Sequence, residues 1–186
     1  MYKPFDLNVG IEHVKAVRSI DPALMPFGYC HGRDGRTVYL VGKDQPLLVL
    51  KTSDLTSPST IITEADALEQ TADLCATLTL RDVYFRDGRP FALLKDFVPG
   101  VLLDQAKVRL NLHAKKSLFD VVDRLHGRGF HDLDFHGKNI VATPSGDSAG
   151  IIDLDSARVT NPQLDDTFYK IWCNKDLEVL ARTLGV

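Results

Sequence analysis

The sequence predicts an α+β fold in two parts, and three observations carry that reading. Short apolar runs separated by Asp-Gly turns fill the first half, a run at helical spacing follows Pro99-Gly100, and acidic and amide side chains stand beside apolar residues between 125 and 155. The expected division is 1–98, a five-stranded antiparallel sheet with one helix behind an N-terminal helix, and 99–186, a smaller and mainly helical part.

In chain order, Val9, Ile11, Val14, Val17 and Ile20 lie roughly on one side of a helix that Asp21-Pro22 ends. Residues 27–31, 37–41 and 46–51 read as three consecutive strands, with Asp34-Gly35 and the break at 42–44 as hairpin signals. A helical stretch at 61–69 follows, then strands at 82–85 and 90–98 around Asp87-Gly88. Leu118, Val121, Val122 and Leu125 fall at i, i+3, i+4 and i+7, and Gly127 and Gly129 suit the helix stop. Short strands at 140–142 and 150–152 flank a turn at 144–147, a hairpin that brings Asn139 and Asp153 to one end. A last helix is expected over 174–184, with Leu177, Leu180 and Leu184 inward.

Composition narrows the class. With 44% hydrophobic and 25% charged residues in 186, the chain is an ordinary globular one. No apolar run approaches the ~20 residues of a spanning helix, and the N-terminus lacks a signal-peptide core, so a cytoplasmic protein is expected. The formal net charge of −3 argues against nucleic acid as a partner. Three widely spaced cysteines suggest neither a disulfide framework nor a zinc site. His126, His131 and His136 lack helical i,i+4 pairing and a nearby cysteine. His126 reads as a structural histidine bonding backbone, and His136 as a loop residue.

The chemistry lies in Asp134, Asn139 five residues on, and Asp153 after two isoleucines. A carboxylate can orient a hydroxyl, and two or three protein oxygens suit a magnesium ion that takes its other ligands from phosphates. Leu125-His126-x-x-Gly129 with Asp134-x-x-x-x-Asn139 resembles the catalytic loop of the protein-kinase-like fold, and residues 151–155, Ile-Ile-Asp-Leu-Asp, resemble its metal-binding segment. The likeness is closest to the atypical branch: RIO-like kinases, Kdo and lipopolysaccharide-core kinases, and small bacterial effector kinases. Two positions depart from the pattern, Asp132 where histidine is usual and Asp155 where glycine is usual.

The resemblance implies a bilobal architecture with a reduced C-lobe, without an Ala-Pro-Glu element, and a set of roles. Asp134 acts on the acceptor hydroxyl, and Asn139 and Asp153 hold Mg²⁺. Lys51 positions the phosphates of ATP, held by Glu64, with Glu69 the lesser candidate. Glu64 is favoured because Ile61 and Leu68 share its helix face. Gly32 and Gly35 sit where a glycine-rich turn covers phosphates, although the motif is incomplete, and Asp96 to Val98 sit where backbone pairs with adenine. There is no GxxxxGK[ST] motif.

The expected function is an ATP- and Mg²⁺-dependent kinase, monomeric, acting on serine or threonine of a protein substrate. A kinase of lipopolysaccharide sugars or another small-molecule hydroxyl is an alternative, which the acidic net charge disfavours. A pseudokinase or nucleotide-binding interaction module is the other, which the departures at 132 and 155 leave open.

Overall fold

A computed structural model of the protein describes residues 5–31, 36–45, 47–53, 58–74, 78–104, 108–161 and 166–186. Its contacts divide the chain into two compact units, one of residues 2–62 and 79–97 and one of 63–78 and 98–186. No helix among the described residues is long and apolar enough to cross a membrane.

The first unit is a five-stranded antiparallel sheet. Its strands are β1 (Met25–His31), β2 (Thr37–Gly42), β3 (Leu48–Thr52), β4 (Leu80–Arg86) and β5 (Arg89–Asp96), in the order β1-β2-β3-β5-β4. The β4–β5 hairpin turns on Asp87 and Gly88, both at positive φ (50° and 71°), the two-residue geometry that matches strand twist. Register places Tyr39, Leu50 and Leu94 in one cross-strand row. That row packs with Val41, Ala92 and Leu24, and with Val17 of helix α1 (Ile11–Ile20), as the sheet's core. Because side chains alternate along a strand, the opposite face carries Val38, Lys51 and Leu93 in one row, and Leu40, Val49 and Lys95 in the next. Lys51 and Lys95 are 5% and 3% exposed.

Helix α2 (Pro58–Gln70) begins in the first unit and continues in the second. Within the second unit, α3 (Leu112–Gly127) is capped by Asn111, whose side chain accepts from the Ala114 amide at 2.8 Å. Ala114, Leu118, Val121, Val122 and Leu125 form its buried stripe. Three short strands pair as β6 (Val101–Leu102), β8 (Ile140–Ala142) and β9 (Ala149–Ile151), while β7 (Phe130–His131) pairs with β10 (Arg158–Val159). The last helix, α4, spans Asp166–Leu184 and buries Asp176, Leu180 and Leu184.

Three local expectations change. The chain after Gly100 is first extended, as β6, and only later helical; a two-residue strand leaves no periodic signal, and its pairing to β8 is non-local. Helix α3 starts at 112, ahead of the apolar run, because its first turn is set by the Asn111 cap. Helix α4 starts eight residues before 174, since its first turns expose Phe168 and Ile171 and so read as irregular in hydropathy.

Leu50 is fully buried in the core of the sheet unit. Leu50→Ala is expected to lower unfolding free energy by about 2–5 kcal/mol, measured by urea titration.

Candidate active site

The loop between β7 and β8 alternates. Leu133 and Phe135 are 0% and 1% exposed, whereas Asp134 and His136 are exposed and Asp132 is half-buried. Two apolar anchors thus hold an irregular segment that leaves Asp134 and His136 open to solvent. Asp132 and Asp134 both take positive φ, 56° and 51°, a conformation aspartate tolerates better than most residues but at some cost.

Asn139 ties this loop together. Its side-chain nitrogen donates to the Asp134 carbonyl (3.1 Å), its amide donates to the His136 carbonyl (2.8 Å), and its own carbonyl accepts from Ile152 (2.9 Å). With its nitrogen so engaged, the carboxamide oxygen is the atom suited to a cation. The β8–β9 register pairs Ile140 with Ile151, so Asn139 and Asp153 emerge at the same end of that hairpin. Gly137 makes a further attachment: a Cβ there would lie 2.8 Å from the Asp104 amide, so only glycine lets the loop pass.

Carboxylate oxygens of Glu64, Asp153 and Asp155 lie within 4.8 Å of one another, all in the second unit. Glu64 is buried (1% exposed) and Glu69 exposed. Hard oxygen donors at this spacing fit a magnesium ion. Of the acids in this set Asp153 is the expected metal ligand, and it is joined by Glu64, expected instead to hold Lys51, and by Asp155, which also donates its amide to Asp153 Oδ1 (3.3 Å). Lys51 belongs to the other unit, near the end of β3.

Asp132 and Asp134 stand in different surroundings. Its carboxylate is paired with Arg158 (3.2 Å) and Lys175 (3.6 Å). His136 Nε2 lies 3.5 Å from Asp134 Oδ2. Of the residues expected to meet the base, Asp96 binds Arg81 through both carboxylate oxygens (2.6 and 3.1 Å), and its amide donates to Thr79. Phe97 donates its amide to Leu47, and Val98 is half-buried. Gly32 and Gly35 lie outside the described residues.

The residues that hold the loop from below were not legible. Asp176 on α4 is 4% exposed and accepts from the Leu133 amide (3.0 Å) and from His126 Nε2 (3.0 Å). His126 therefore bonds a carboxylate with its ring, not backbone as expected, while its carbonyl accepts from the Tyr169 hydroxyl. Thr183 donates to the Phe135 carbonyl (3.1 Å). Tyr169, Cys173, Asp176, Leu180 and Thr183 follow helical spacing, so an acid on the packed side of that stripe was the available signal; starting the helix at 174 cut the stripe short. His131, 5% exposed, bonds Thr160 (2.7 Å), and burial pushes its imidazole below the ordinary 6.5.

No protein-family model matches the chain, and no curated protein sequence matches it. Among solved structures, the kinase of the Cydia pomonella granulovirus superimposes with a TM-score of 0.62 at 18% identity, over 82% of this chain. The chain spans 61% of the length of that kinase.

Two measurements test the loop's support. Asp176→Ala leaves a buried amide and an imidazole without their acceptor and should cost about 1–3 kcal/mol, read by chemical denaturation. Because folding depresses the His131 pKa, its contribution is fully present above 6.5 and is lost as pH falls below that value. The drop in Tm between neutral and mildly acidic pH should be smaller in His131→Phe. The likeness to the granulovirus kinase shows that the chain has a protein-kinase-like fold.

Proposed function

We propose that the protein is an ATP- and Mg²⁺-dependent phosphotransferase acting on a hydroxyl, with serine or threonine of a protein as the acceptor. The observation that carries this reading is the bonded run from Asp134 through Asn139 to Ile152, the residue before Asp153, in a chain of protein-kinase-like fold. Phosphoryl transfer asks a protein mainly for positioning and charge compensation, and this run supplies a carboxylate for each purpose.

In this reading Asp134, with its side chain about half exposed (54%), orients the acceptor hydroxyl and takes its proton late in transfer. The Asn139 carboxamide oxygen and Asp153 hold Mg²⁺, with Asp155 and Glu64 close enough to add oxygen ligands directly or through water. Bound magnesium neutralises charge on the phosphate oxygens. Lys51 supplies the cation for the α and β phosphates, and the resemblance assigns Glu64 to orienting it. Since the amides of Asp96 and Phe97 are engaged, the groups assigned to the adenine edge are the Asp96 carbonyl and the Val98 amide. Gly32 and Gly35 keep their assignment as phosphate cover.

A second reading, nucleotide binding without transfer, is favoured by one feature: Asp155 adds negative charge to the metal-binding set where the family has glycine.

Incubation with labelled ATP, Mg²⁺ and a cell lysate tests the first reading. Asp134→Ala and Asp153→Ala should each reduce incorporation by about 10²-fold or more, and chelation of Mg²⁺ should abolish it. Equal incorporation by wild type and Asp153→Ala overturns the assignment. A rise in Tm with Mg-ATP but no transferred label selects the second reading.

A further inference from the structure

Helix α4 carries Phe168, Ile171, Trp172 and Lys175 at i, i+3, i+4 and i+7, which places them on one face. Phe168 and Ile171 are 66% and 56% exposed, and Val159 on β10 is 58% exposed. Arg158, next to Val159, and Lys175 both lie over the Trp172 ring, at 5.8 and 4.1 Å from its centroid. The same two cations pair with Asp132. Two positive charges therefore share the one carboxylate of Asp132 on an apolar and aromatic ledge. Asp132 is two residues from Asp134, so their Cα atoms are at most about 7 Å apart.

We infer that this ledge binds the acceptor segment of the substrate, and that the segment is a peptide carrying an acidic residue and an apolar side chain beside its serine or threonine. The inference rests on the reading of Asp134 as the residue facing the acceptor. Charge decides the occupant. A basic peptide would meet two cations, whereas an acidic one replaces or shares Asp132 as their counter-charge, and exposed Phe168, Ile171 and Val159 receive its apolar side chain. Clusters of exposed apolar residues on a folded surface are characteristic of binding faces, and here the cluster adjoins the loop at which the hydroxyl would react. It also gives Asp132 a job: it holds Arg158 and Lys175 in place until a substrate carboxylate arrives.

Trp172 is the only tryptophan in the chain, so its fluorescence reports the ledge directly, without need of phosphate transfer. Peptides with a central serine are titrated into the protein in three forms: flanked by glutamate and leucine, by lysine and leucine, and by glutamate and glycine. The first is expected to change Trp172 emission saturably, to bind about tenfold or more tightly than the second, and to weaken as salt rises. It should also exceed the third. In the double variant Arg158→Gln, Lys175→Gln, whose side chains are largely exposed, that selectivity should fall to near unity. Equal binding of the first two peptides, or no response to any, overturns the inference. So does self-association of the wild type that Ile171→Glu abolishes, since a second copy is then the occupant. Running the same peptides with labelled ATP separates the two claims: binding without label removes the catalytic reading and keeps the ledge, whereas label on other acceptors with Trp172 silent does the reverse.

Discussion

The second unit depends on one buried carboxylate. Asp176 accepts from a backbone amide of the Asp134 loop and from the ring of His126 at the end of α3, so a single side chain couples α4, α3 and the loop. Burying a carboxylate is costly unless it is hydrogen-bonded, and charge-assisted bonds of this type are about twice as strong as neutral ones. Tyr169 and Thr183, one to each side along α4, add bonds to the carbonyls of His126 and Phe135. The helix thus engages backbone at three points spread over 15 residues of its length, from Tyr169 to Thr183, and so braces an otherwise irregular loop.

That support explains how the loop sustains its conformation. Two aspartates at positive φ each store strain of about 1–3 kcal/mol, and the anchoring of Leu133 and Phe135 between them offsets it. Full burial of a leucine or phenylalanine contributes about 1.5–3 kcal/mol each. The alternation of anchored apolar residues with outward acids therefore accounts both for the stability of the loop and for the exposure of Asp134.

The acidic group poses the opposite problem. Two unit charges no more than 4.8 Å apart repel by about 3 kcal/mol or more at an effective dielectric near 20, and Glu64 is buried in addition. Such repulsion is relieved by nearby positive charge. A divalent cation supplies more of it per site than any single side chain, which is the physical link between this cluster and the chemistry proposed for Asp153. The ledge differs in kind, since there Arg158 and Lys175 share the single carboxylate of Asp132.

What the sequence determined by itself was whatever local rules encode. Period-2 and period-3.6 patterns and the Asp87-Gly88 turn predicted five strands and the helices' existence, and the resemblance carried by the motifs between 125 and 155 implied the protein-kinase-like fold. Element starts were less legible: the beginning of α4 is amphipathic in the wrong sense, presenting Phe168 and Ile171 outward, and β6, β7 and β10 are two residues long and exist only through their partners. Tertiary structure alone decided which acid did what. Asp132, Asp155 and Asp176 are the same residue type in polar or mixed surroundings, yet one clamps two exposed cations, one joins a carboxylate cluster and one is buried as an anchor. Those differences arise from contacts between residues as far apart in the chain as Asp132 and Lys175, or Glu64 and Asp153, and no local pattern specifies which side chains folding will bring together.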